Sequence, residues 1–102
     1  EYFKIILLDT KNNILKVSEI SVGSLNSSIV HPREVFAEAI VNSSSSIILV
    51  HNHPSGEPEP SNEDIALTNR LAECGKIIGI KIIDHIIIGD GIFYSFKEEG
   101  LI

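Results

Sequence analysis

The sequence predicts a mixed α/β domain. Three observations carry this: short apolar runs with strand-like patterning, two helical stretches set singly between them, and turn residues at the joints. Together they give the order β-β-α-β-α-β-β. A chain of 102 residues is long enough to bury a modest core without disulfides or a structural metal. Residues 1–102 therefore read as a single domain. Because the chain opens directly in a strand-like run and stops abruptly, it reads as a fragment of a longer protein.

The first run, "EYFKIILLDT", alternates imperfectly before turning apolar, and "DTKNN" supplies turn residues. "ILKVSEISVGSL" follows with a period of two. Leu15, Val17 and Glu19 fall on one face, and Lys16, Ser18, Ile20 and Val22 mainly on the other. These two runs predict an antiparallel hairpin. "HPREVFAEAIVN" predicts a helix with Pro32 at its first position and Val35, Phe36, Ala39 and Ile40 along one face. The serines at 43–46 are a short linker. "IILV" at 47–50 is apolar on both faces, as in a central strand covered on each side. "SNEDIALTNRLAECG" predicts a second helix with Ile65, Leu71 and Ala72 on its buried stripe, ending near Gly75 or Gly79. "IKIIDHIIIGDG" reads as another buried strand with a turn, and "IFYSF" as a last short one.

Composition removes several functions. Eight basic residues face fourteen acidic ones, a net charge of −6, and the basic residues are scattered. A phosphate-binding surface needs a basic face, so direct nucleic-acid binding by this chain is not expected. No apolar run approaches the ~20 residues that cross a bilayer, and no signal peptide is recognisable, so a membrane is excluded and a cytoplasmic location expected. The lone Cys74 has no internal partner, which fits a reducing compartment; on a helix it reads as an inert, half-buried thiol.

Chemistry concentrates in "HNHPSGEPEPSNED", residues 51–64. On a strand, His51 and His53 project from the same face, with α-carbons roughly 6–7 Å apart. Two imidazoles at that spacing can converge on one metal ion. Pro54 ends regular pairing and "PSGEPEP" turns the chain. Ser61 then opens the second helix, with Asp64 in its first turn, where the positive end of the helix keeps a carboxylate ionised. Asp64 as third ligand would give two neutral nitrogens, one anionic oxygen and an open position, the pattern of a catalytic rather than a structural zinc site. The plain alternative is a capping box: Ser61 accepts from a backbone N–H three residues on, and Asp64 is a first-turn acid. For Ser61 the two roles are compatible.

The same residues run as His51, His53, Pro54, Ser61 and Asp64 without a gap through the JAMM signature H-x-H-P-x6-S-x-x-D of the JAB/MPN metalloprotease superfamily. Four blocks, "LLDTKNN", "GSLNSSIVHPREVFAEAI", "HNHPSGEPEPSNEDIALT" and "IIDHIIIGDG", resemble in order and spacing the bacterial RadC family, the RadC-like JAB domain. The likeness covers essentially the whole chain. It implies a cytidine-deaminase-like three-layer α/β fold, with a curved mixed sheet and flanking helices. It implies Zn(2+) held by His51, His53 and Asp64 with water as the remaining ligand, and hydrolysis of a peptide or isopeptide bond in a protein or peptide substrate. It also implies a general-base glutamate on an early strand and a motif serine, Ser61, that stabilises the tetrahedral intermediate.

"EYFKIILL" matches the superfamily's first-strand pattern at Glu1, which is favoured as the base over Glu19 on the second strand. Glu34 and Glu38 read as the solvated face of a helix. His31 reads as a cap-region residue before Pro32. Asp84 and His85 interrupt an apolar run. A carboxylate behind a metal-bound histidine fixes its tautomer, so Asp84 is a candidate for that role and His85 a candidate supporting residue beside it, balanced against a polar pair satisfied by backbone. The competing function is a non-catalytic or accessory domain of a RadC protein tied to DNA repair or recombination. Against it stands the complete motif. An exposed sheet edge would accept an extended peptide or a second copy of the chain, so homo-oligomerisation stays open.

Overall fold

A computed structural model describes residues 1–22 and 30–102 of the chain. The elements are β1 (Tyr2–Leu8), β2 (Ile14–Val22), α1 (Pro32–Val41), β3 (Ser46–Asn52), α2 (Asn62–Ile78), β4 (Lys81–Ile88) and β5 (Phe93–Ser95), in the predicted order. They form one five-stranded mixed sheet, β2-β1-β3-β4-β5, with the two helices against it. This is the α/β architecture that the JAB/MPN resemblance implies. Residues 23–25 of the second predicted run, and the side chain of Val22, lie outside the described residues.

Local chemistry explains the joints. The β1–β2 turn is built on Asp9, whose Oδ1 accepts from the backbone N–H of Lys11 at 2.8 Å and of Asn13 at 2.9 Å. Asn12 takes a φ of 63° there, a conformation that asparagine tolerates better than most residues. The β1–β2 and β1–β3 pairs are antiparallel. The β3–β4 pair is parallel and needs a crossover, which α2 supplies. This helix ends at Gly79, whose φ of 88° is the left-handed cap that glycine adopts without strain.

The buried cluster joins Phe3, Ile5 and Leu7 of β1, Ile47 and Leu49 of β3 and Ile82 of β4 to Val35, Phe36 and Ala39 of α1 and Leu67 and Leu71 of α2. Each such aliphatic or aromatic side chain contributes about 1.5–3 kcal/mol on full burial. Among the described residues both helices thus cover the same sheet face, so the mixed α/β fold has two layers here where the resemblance implies three. On the other face Ile6, Ile48 and Val50 are half-buried, so the expectation that 47–50 is covered on each side holds for one face only.

Two further readings are corrected. Ile40 is 58% exposed, because the last turn of α1 runs past the core and only Val35, Phe36 and Ala39 reach it. On α2 the buried stripe is Asp64, Leu67, Thr68, Leu71 and Gly75, rotated away from the expected Ile65 and Ala72, which are half-buried. Two polar residues therefore sit where a helix normally buries apolar ones. Among the described residues no helix is long and apolar enough to cross a membrane.

Candidate metal centre

The site lies at the carboxyl end of β3, where the chain leaves the sheet and α2 begins. Ligand sites in open α/β sheets favour this position. His51, 1% exposed, occupies the core face of β3 opposite Phe3 of β1. The two rings stack with centroids 5.7 Å apart and planes 20° from parallel. One step past the end of β3, His53 brings its Nε2 to 3.1 Å from Nε2 of His51.

The "PSGEPEP" loop fixes the orientation of His53. Gly56 N–H donates to the His53 carbonyl at 2.9 Å, and Asp90 N–H donates to the Gly56 carbonyl at 2.9 Å, tying the loop to the β4–β5 turn. The carbonyl oxygen of Glu57 then lies 2.8 Å from Nδ1 of His53. A carbonyl only accepts, so Nδ1 carries the proton. In the neutral ring Nε2 is left with its lone pair facing His51.

Helix α2 supplies the third group. Ser61 Oγ accepts from Asp64 N–H at 3.0 Å, and Asp64 Oδ2 accepts from Ser61 N–H at 2.9 Å, so the capping box is real. The same carboxylate, 3% exposed, faces the imidazoles: Oδ1 is 3.3 Å from His51 Nε2, and Oδ2 is 3.0 Å from His53 Nε2. Burial works to raise its pKa. The His51 imidazole and the Ser61 N–H outweigh this and hold the carboxyl well below the usual range, so it is ionised.

Ligand atoms of His51, His53 and Asp64 lie within 4.8 Å of one another. When Nε2 of His51 also lacks a proton, two ring nitrogens and an anionic oxygen face one another with no hydrogen between them. A cation between them satisfies all three. Two imidazole nitrogens and one carboxylate oxygen are the donor set of an open divalent site, so these residues fit a metal of the JAMM type.

Comparison with known proteins agrees with this geometry. A family model described as the RadC-like JAB domain matches residues 1–101. The chain belongs to that family. Curated relatives include UPF0758 proteins of Clostridium acetobutylicum, 64% identical over 102 residues, and of Alkaliphilus oremlandii, 65% identical over 102 residues. A third, from Methanococcoides burtonii, is 62% identical over the same length. In each case the whole chain is matched and 44% of the relative is covered, so the chain spans less than half the length of these proteins.

Around this RadC-like centre the remaining candidates fall as follows. Ser61 is exposed at the helix start; its cap uses an oxygen lone pair and leaves the hydroxyl proton free. Glu1 immediately precedes β1. Phe3 pairs with His51, and Tyr2 N–H donates to Asn52 Oδ1 at 2.8 Å, so the chain just before β1 lies beside the end of β3. Glu19 pairs with Lys4, which pairs with Val50; it is exposed, on the sheet face away from His51.

Asp84 also points to that far face. Its carboxylate accepts from Ser95 Oγ at 2.7 Å and from the N–H groups of His85 and Lys97 at 2.7 and 3.0 Å. It therefore fastens β5 and the following turn rather than a site histidine. His85 is fully buried behind His51, with its Nε2 2.8 Å from His51 Nδ1. Burial foremost, then electrostatic coupling to His51, pushes its pKa down to about 3, against the opposing pull of Asp64.

Thr68 was not singled out from the sequence. Its Oγ1 lies 2.6 Å from His85 Nδ1 and donates to the Asp64 carbonyl at 2.7 Å. The available signal was its position four residues after Asp64, on the same helical face. Elsewhere, Ser55 Oγ accepts from Glu57 N–H at 3.3 Å, and His31 is the N-cap residue of α1 without a side-chain cap bond. Glu34 is exposed, while Glu38 accepts from Ser18 Oγ at 2.6 Å and faces Lys16 Nζ at 3.2 Å, tying α1 to β2. Cys74 is half-buried on α2 beside the core.

Proposed function

We propose that this domain is a zinc-dependent hydrolase of the JAMM type, cleaving a peptide or isopeptide bond in a protein or peptide substrate. The observation that carries the reading is the convergence of His51 Nε2, His53 Nε2 and an ionised Asp64 within 4.8 Å at the end of β3, with His53 half-buried and the other two buried. Membership of a JAB family supports it. The nitrogen-rich donor set with an open position suits zinc better than the hard, oxygen-seeking cations. When bound there, zinc supplies Lewis acidity that brings water deprotonation near neutral pH.

The chain's own groups then divide the work. His53, oriented by Glu57, and His51 present lone pairs; Asp64 adds a negative charge that its helix terminus keeps ionised. Glu1, just before β1, accepts the proton of the attacking water on its carboxylate and returns it to the leaving amine. Ser61 donates its free hydroxyl proton to the developing oxyanion while its lone pair keeps the helix cap. Loss of such a donor costs about 3–4 kcal/mol of transition-state stabilisation. No covalent intermediate on the chain is required.

The test separates holding the metal from turnover. Asp64→Ala should abolish stoichiometric zinc in elemental analysis, whereas Ser61→Ala should retain zinc and lose most of the chelator-sensitive cleavage of a peptide library. Equal zinc loss in both variants would show these roles to be misassigned. Full zinc occupancy with no cleavage of any peptide or isopeptide substrate would point to an accessory role in the longer protein.

A further inference from the structure

Behind His51 a line of three hydrogen-bonding groups runs away from the site and ends on the backbone of α2. His51 Nδ1 lies 2.8 Å from His85 Nε2, His85 Nδ1 lies 2.6 Å from Thr68 Oγ1, and Thr68 Oγ1 lies 2.7 Å from the carbonyl oxygen of Asp64. His51, His85 and Thr68 are all buried, so water does not compete for these partners. The proton order along the line follows from its far end. A carbonyl oxygen only accepts, and a threonine hydroxyl has one proton. That proton must lie between Thr68 and Asp64, because otherwise two oxygens would face each other bare at 2.7 Å.

Thr68 then has only a lone pair to offer His85, so Nδ1 of His85 carries the proton and its Nε2, in the neutral ring, can only accept. What it accepts is the Nδ1 proton of His51. Nε2 of His51 is thereby left bare, facing Asp64 and His53.

We infer that His85 and Thr68 are positioning residues that set the tautomer of His51, so that its Nε2 lone pair is directed at the metal position before any metal arrives. The aromatic walls hold the line rigid: His85 stacks on Phe96 with centroids 4.7 Å apart and 15° between planes, and His51 stacks on Phe3. Asp64 sits at both ends, its carboxylate in the site and its carbonyl as the terminal acceptor. The first turn of α2 therefore closes a ring of contacts through β4 and β3 and back to itself. The opposite order, with Nε2 of His85 protonated, would place a proton on Nε2 of neutral His51 and block it as a ligand.

This inference rests on the metal reading for its consequence, though the proton order is testable without metal. Long-range proton–nitrogen NMR of the metal-free chain should find His85 neutral and protonated at Nδ1. It should also find coupling across the hydrogen bond between His51 Nδ1 and His85 Nε2, with the proton on His51. A His85 ring protonated at Nε2 would overturn the inference.

Zinc affinity, measured by competition with a chelating dye, supplies the second arm. Thr68→Val and His85→Phe should weaken binding about tenfold to a hundredfold, as losses of groups supporting metal ligands do. Thr68→Ser, which keeps the hydroxyl, should bind within a few-fold of the parent. Unchanged affinity in folded Thr68→Val and His85→Phe would refute the positioning role. A parent chain that binds no zinc would instead refute the proposed function, and the NMR arm would still decide the proton order.

Discussion

A single carboxylate at Asp64 answers two demands that the sequence leaves as competing readings. Oδ2 closes the capping box with Ser61 N–H and, with Oδ1, also faces the two imidazoles. The helix cap thus becomes a device for aiming a ligand. At His85 the same burial has a measurable consequence. The folded chain keeps this imidazole neutral down to about 3, whereas an ordinary histidine takes up a proton near 6.5. Between those values the unfolded chain binds the extra proton, so His85 makes stability rise with pH. The slope is up to about 1.4 kcal/mol per pH unit. Denaturant midpoints of chelator-treated protein should therefore drop between about pH 7 and about pH 5, and His85→Phe should flatten that dependence. A variant as pH-sensitive as the parent would show that the dependence arises elsewhere.

Among elements, the loop between β3 and α2 matters most, because it holds His53 from the side away from the metal position. Its anchor is a close approach to the β4–β5 turn: a Cβ on Gly89 would collide with the carbonyl oxygen of Gly56 and crowd Pro58. Gly89→Ala should push the loop outward and move the Glu57 carbonyl off His53 Nδ1. We expect a stability loss of about 1–3 kcal/mol, the usual cost of overpacking. Zinc affinity should fall more than in an equally destabilised core variant such as Leu71→Ala; equal affinities would show the loop is not needed to orient His53. The spacing of His51, His53, Ser61 and Asp64 was legible in the sequence, because a strand end, a turn and a helix start each have local signals. Thr68 was not, and His85 was legible only as a candidate supporting residue, not as the partner of His51. Polar residues on the buried stripe of α2 defeat a search for apolar periodicity, and the His51–His85 contact depends on parallel pairing of β3 with β4, which no local pattern encodes. Asp84 was legible as an interruption of β4, but its face is set by strand alternation counted from His85.

At the scale of the whole molecule, the order of elements and the first hairpin followed from patterning and turn chemistry, while the parallel crossover and the one-sided cover of the sheet did not. Continuous apolar runs such as Ile47–Val50 look alike whether one face or both are covered, and the half-buried Ile48 and Val50 illustrate this. The fold's contribution to the site is convergence. Parallel β3 and β4 bring His51 and His85 side by side, α2 returns Asp64 and Thr68 to them, and β1 lays Phe3 against His51 with Glu1 at the rim. The proposed centre of this arrangement is one divalent cation held by His51, His53 and Asp64. Diffraction from zinc-loaded crystals at the zinc absorption edge tests that claim most directly. One anomalous peak about 2.0–2.2 Å from Nε2 of His51, Nε2 of His53 and a carboxylate oxygen of Asp64 is the predicted result. A zinc ion bound elsewhere, or crystals in which either imidazole turns away from Asp64, would contradict the account.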